Sequence, residues 1–206
     1  MPGIKVLIAD DHALVRMGLR LLISSIKDLT LVGEAKDGED AVRLALRLHP
    51  DVVVMDLLMP RKDGIEATRE IRQKMPDVQV VILTSNNTSD GLAHALRSGA
   101  NGAVLKSETE SELVTAIRAV ARGERYVTEE ISNQIADDPP VGNLSPRQLD
   151  VLASVTRGLS NADIARELGI SEVTVKTHVA TIFEKLGVAN RVEAAAIALR
   201  KQLLKS

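Results

Sequence analysis

Hydrophobic positions in the first 122 residues gather into five short runs, 4–9, 30–35, 51–56, 78–84 and 102–105, each rich in Val, Ile and Leu. The segments between them, 13–26, 39–48, 65–75, 89–98 and 108–122, carry apolar residues at helical spacing. Strand and helix alternating in this way predict an α/β fold. Five parallel strands form a doubly wound sheet, joined by right-handed crossovers, with helices on both faces. "DVVVMD" at 51–56 is almost continuously apolar, as a strand buried on both sides must be.

The pattern changes after a further predicted helix around 127–135. "ADDPPVGN" at 136–143 puts acidic residues, two prolines and a glycine together, which can continue neither a helix nor a central strand, and so predicts a linker. Four helical segments and no strand follow. Ser145 with Gln148, Ser160 with Asp163 and Asn190 with Glu193 have the spacing of N-caps with reciprocal partners. The expected organisation is an α/β domain over 1–122, a helix and linker over 123–142, and a small all-α domain over 143–206.

Composition narrows the chemistry. The 206 residues contain no cysteine, which excludes disulfides, thiolate metal sites and cysteine nucleophiles. No export signal and no run near the length of a membrane span is visible, so a cytoplasmic protein is expected. The net charge of −2 hides an asymmetry: residues 1–142 carry 17 Lys+Arg against 22 Asp+Glu (17 − 22 = −5), and residues 143–206 carry 9 against 6 (9 − 6 = +3). An acidic front and a basic back predict different partners for the two domains.

Ligands of open α/β sheets collect beyond the carboxyl ends of the strands. Those ends carry Asp10 and Asp11 after the first predicted strand, Asp56 after the third, Thr84 after the fourth and Lys106 after the fifth. Any one of these residues is an ordinary turn or cap residue. Together they put three carboxylates, a hydroxyl and an ammonium on one edge. Adjacent carboxylates repel unless a cation lies between them, and oxygen-only ligation suits Mg²⁺. A cation held by Asp10, Asp11 and Asp56 would let Asp56 accept a phosphoryl group, with Lys106 and Thr84 binding its oxygens.

The motifs "ADD", "DLLMPRKDG", "LTS" and "VLKS" resemble the receiver domain of bacterial two-component response regulators over roughly residues 3–122. The resemblance implies a flavodoxin-like receiver whose Asp56 takes phosphate from a sensor histidine kinase. It also implies that Asp11, Asp56 and the Leu58 carbonyl bind Mg²⁺ directly, that Asp10 acts mainly through water, and that Thr84 moves toward the phosphoryl group on activation. One position departs from the pattern: Ala103 stands where receivers carry an aromatic residue that changes rotamer with the threonine.

In the helical domain, Val175, Val179, Ile182, Phe183 and Leu186 fall on one face and predict core. Thr174, Thr177, Ala180 and Thr181, flanked by Lys176 and His178, occupy the opposite side and suit a helix in the DNA major groove. "LSNADIARELGISEVTVKTHV" followed by "KLGVANRVEAAAIA" resembles a LuxR-type helix-turn-helix over about 143–206. The whole chain is thus similar to NarL/FixJ-family response regulators. That likeness implies a recognition helix over 171–186, a last helix over 190–204 that mediates dimerisation, a two-fold symmetric operator, and RNA polymerase as a further partner. Gln148 replaces the Glu usual in the family, and Ala180 replaces a residue that is basic in some members.

The four histidines show no metal-site or nucleophile–base spacing. His12, His49 and His94 are expected as surface or packing residues. An enzyme is the competing class, since aspartyl-phosphate sites also serve phosphatases. The sequence shows no second acid–base carboxylate beside Asp56, no cap domain and no phosphate-cradling glycine loop, so no enzyme activity is expected. A receiver used for protein contacts without phosphate is a third reading, resting on Ala103 alone.

Overall fold

The computed structural model describes residues 3–85, 89–138, 140–142, 144–201 and 203–204. The chain divides into two compact units, Met1–Asp138 and Pro139–Ser206. Of the predicted linker, Pro139 and Asn143 lie outside the described residues.

The first unit runs β1 (Ile4–Ala9), α1 (Ala13–Ser25), β2 (Leu29–Ala35), α2 (Gly38–Leu48), β3 (Val52–Met55), α3 (Gly64–Lys74), β4 (Gln79–Thr84), α4 (Ser89–Arg97), β5 (Gly102–Leu105), α5 (Glu110–Ala121), β6 (Tyr126–Val127) and α6 (Glu129–Asp137). All strand pairs are parallel, in the order β2-β1-β3-β4-β5-β6. Side chains alternate between the two faces with the strand period of two. Leu7, Val53, Met55, Val80, Ile82, Ala103 and Leu105 pack with α2, α3, α4 and α6. Val6, Ile8, Val52, Val54, Val81, Leu83 and Val104 pack with α1 and α5.

The sheet has six strands, not the expected five. After α5 the chain turns at Gly123, whose φ of 81° lies in the left-handed region. It then pairs Tyr126 with Gly102 and Val127 with Ala103. Two residues are too few to show an alternating pattern, so the strand was hidden in what looked like the start of a helix. The Tyr126 hydroxyl donates to Glu112 Oε1 of α5 at 2.5 Å, and this bond pushes the phenol up to about 12. α6 accordingly begins at Glu129, not 127, and packs against α4 and β5.

The second unit contains α7 (Pro146–Thr156), α8 (Asn161–Leu168), α9 (Glu172–Leu186) and α10 (Arg191–Arg200). Its core joins Val151, Leu152, Val155, Ile164, Val175, Ile182, Leu186, Ala194 and Ala198, with Val179 and Phe183 packed at the edge. Ser145 and Gln148 form a reciprocal capping box on α7; Ser160, Ser171 and Asn190 cap the other three helices. Gln148 does more than a cap requires: its Oε1 also accepts from Lys185 Nζ at 2.9 Å, tying α7 to α9. α10 ends at Arg200, short of the expected 204, with Lys201 as its C-cap.

Candidate functional site

In the order β2-β1-β3, the strand sequence reverses between β1 and β3, and the crevice beyond their carboxyl ends holds the acidic residues. Backbone bonds fix its floor. Asp56 N donates to Ala9 O at 2.8 Å, Asp10 N to Ala35 O at 3.2 Å and Lys106 N to Thr84 O at 2.9 Å. Asp10, Asp56 and Thr84 are buried, at 1%, 5% and 1% exposure.

Lys106 Nζ lies between two carboxylates, 2.6 Å from Asp10 Oδ2 and 2.8 Å from Asp56 Oδ2. The other oxygens face backbone donors: His12 N donates to Asp10 Oδ1 and Leu57 N to Asp56 Oδ1, both at 2.8 Å. Burial pushes the Asp56 carboxyl above its usual range, and Lys106 offsets only part of this. For Lys106, burial is the largest single influence and opposes its charge. Its bonds to Asp10 and Asp56 together outweigh burial and hold the ammonium above its ordinary value.

Single ligand atoms of Asp10, Asp11, His12 and Asp56 all lie within 4.8 Å of one another. Three carboxylates against one ammonium leave two negative charges uncompensated, which is the charge of one divalent ion. Hard carboxylate oxygens fit Mg²⁺. Leu58 follows Asp56 by two residues with its side chain exposed. His12 joins the cluster beside the three carboxylates. His12 is exposed, as expected of a surface residue, and its Nδ1 sits 2.8 Å from Asp11 Oδ1. Its position directly after Asp11 was the available signal.

On α9, the predicted core face is inside. Thr174, Lys176, Thr177 and Ala180 are exposed, while His178 and Thr181 are half-buried. Val173, not singled out from sequence, is 72% exposed on the same helix. α8 ends at Gly169 in the left-handed conformation (φ 65°), and Ser171 caps α9 through Thr174 N, which makes the tight turn between the two helices.

Residues 6–118 match the family model described as response regulator receiver domain, and residues 142–198 match that of bacterial regulatory proteins, luxR family. The chain is 37% identical over 209 residues to the transcriptional regulatory protein LiaR of Bacillus subtilis (strain 168), covering 98% of this chain and 99% of that protein. It is 36% identical over 199 residues to the nitrate/nitrite response regulator protein NarL of Escherichia coli (strain K12), covering 92% of each. Among solved structures, it is similar to RcsB from Salmonella enterica serovar Typhimurium bound to promoter P1flhDC in the presence of phosphomimetic BeF3-. The TM-score is 0.68 and the identity 29%, over 94% of this chain and 97% of that one.

Proposed function

Because the chain belongs to the NarL/FixJ family of response regulators, joining a receiver to a LuxR-type DNA-binding domain, we propose that Asp56 is its phosphoacceptor and that phosphorylation controls DNA binding through α9. The observation that carries this reading is the Lys106 ammonium held between Asp10 and Asp56 at a sheet switch point.

A phosphoryl group enters from the phosphohistidine of a sensor kinase. The N–P bond breaks, an O–P bond forms at an Asp56 carboxylate oxygen, and the released imidazole takes up a proton. Asp10, Asp11, Asp56 and the Leu58 carbonyl would hold Mg²⁺, which supplies neutralisation of the charge gathered on the phosphoryl oxygens. Lys106 is placed to exchange its Asp56 contact for a phosphoryl oxygen. Thr84, at the end of β4 and bonded through its carbonyl to Lys106 N, supplies a hydroxyl to another. The joining of a receiver domain to a luxR-family domain supports action as a regulator and not as an enzyme.

In the second unit, Thr174, Lys176, Thr177, His178, Ala180 and Thr181 form the DNA-facing side of α9. Val192 and Leu199, seven residues apart on α10 and 75% and 69% exposed, are the face through which two copies pair on a two-fold operator. Work on DNA, with RNA polymerase downstream, implies a cytoplasmic location. The described residues include no helix long and apolar enough to cross a membrane.

The test is incubation of the protein with a small phosphodonor and Mg²⁺. One acid-labile phosphate is expected on Asp56, lost in Asp56→Asn, and Asp11→Asn should require more Mg²⁺ for the same rate. Undiminished labelling of Asp56→Asn would overturn the assignment.

A further inference from the structure

We infer that α9 reads thymine by its 5-methyl group, through methyl-bearing side chains at 173, 177, 180 and 181, and not by hydrogen-bond donation from the hydroxyls of Thr177 and Thr181. The inference rests on the DNA-binding reading and names what that surface recognises.

The threonine hydroxyls of this helix are already engaged. Thr177 Oγ1 donates to Val173 O and Thr181 Oγ1 to Thr177 O, each at 3.1 Å, and Thr174 Oγ1 shares a 2.8 Å bond with Ser171 Oγ. A hydroxyl whose proton is held by a helix carbonyl keeps only acceptor capacity. Thr177 and Thr181 so arranged have no proton to donate to guanine N7 or O6, or to thymine O4. With its oxygen turned back to the helix, the exposed Thr177 side chain is left with its γ-methyl to offer, and the half-buried Thr181 with part of its own. Val173 and Ala180 complete the set, at spacings of four and three residues around Thr177, which place all of them on one side of the helix.

Val173 supports the same conclusion independently. A valine 72% exposed gains nothing from burial and has below-average helix propensity. Next to three further methyl-bearing residues it extends one apolar surface. In the major groove the 5-methyl of thymine is the apolar feature such a surface can bury. The cation on this side, Lys176, is paired with Glu172 at 3.1 Å, and a phosphate would compete for it as a positioning contact.

The test begins with duplexes selected from a random library by the full-length protein treated with phosphodonor. Each thymine is then replaced singly by deoxyuridine, which keeps base pairing and O4 but lacks the methyl. At one or two thymines per half-site, affinity should fall about fourfold, the worth of one buried methyl-sized group. Thr177→Val, which keeps the γ-methyl and puts a second methyl in place of the hydroxyl, should keep the uracil penalty. Thr177→Ser, which keeps the hydroxyl and loses the methyl, should bind about fourfold more weakly and lose the penalty at one position. Uracil tolerated at every position by the parent protein, or the opposite ranking of the two variants, would overturn the inference and leave DNA binding intact. No sequence selected from the library would overturn the DNA-binding reading itself.

Discussion

A Cβ added at Gly64 would overlap the carbonyl oxygen of Asp56. Gly64 N donates to Leu57 O at 2.9 Å, so the first turn of α3 is pressed directly onto the segment that carries Asp56. Asp63 holds that turn in place by accepting from Glu66 N at 2.8 Å. The glycine in "DLLMPRKDG" is therefore required by close approach, since neither partner is a flexible side chain that could yield. Gly64→Ala should shift the Asp56 backbone relative to Lys106, which holds it from β5. Overpacking of this kind costs about 1–3 kcal/mol in urea unfolding. Displacing the acceptor from its partners should slow phosphodonor labelling by up to about 100-fold. A variant equal to the parent in both measurements would show that the loop yields without moving Asp56.

At the scale of elements, α6 and β6 account for what the absent switch aromatic leaves behind. Ala103 is fully buried in the cluster that includes Ile131 of α6, with Val127 of β6 packed against it. Ala103 O also accepts from Thr128 N at 3.4 Å, just ahead of α6. A small residue in β5 and an extra helix over it are thus complementary parts of one packing solution. Ala103→Tyr should force α6 outward: amides of 129–137 should exchange faster while Asp56 still accepts phosphate. Adding Ile131→Ala should restore part of the protection, because both residues belong to one buried cluster and the smaller side chain frees volume in it. Unchanged exchange in Ala103→Tyr would place the tyrosine elsewhere. The elements that escaped sequence reading are those whose signal lies outside local pattern. Asp10, Asp56 and Lys106 were legible because each ends an apolar run long enough to register as a strand. β6 is two residues long, and its existence is decided by pairing with β5. His12 adjoins Asp11 in sequence, whereas its nearness to Asp56 is decided by the crevice that the β1/β3 reversal creates. On α9 the sequence gives residue types, whereas the backbone bonds of Thr177 and Thr181 decide which of their atoms remain for a ligand.

At the scale of the whole molecule, the acidic excess lies in the receiver part of the chain and the basic excess in the DNA-binding part. The first unit ends at Asp138, and its carboxylate accepts from Ser89 Oγ, the opening residue of α4, at 3.0 Å. A change at Thr84, where β4 ends, is therefore only the β4–α4 connection away from an element bonded to the last residue of the receiver unit. Coupling through these backbone segments needs no rotating aromatic. Phosphorylation is accordingly expected to raise affinity for a selected operator by a coupling energy of about 1–3 kcal/mol, roughly 5- to 150-fold. Titrations with and without phosphodonor, repeated across salt concentrations, separate this coupling from simple charge attraction. Lys176→Ala should lower affinity in both states and reduce the salt slope by about one, since one phosphate contact is lost. The ratio between phosphorylated and unphosphorylated affinities should stay as in the parent, because Lys176 lies on the DNA side of the switch. Equal affinities for the two states of the parent protein would leave a receiver that binds its partners without a phosphate switch, the one account for which Ala103 would then be the cause.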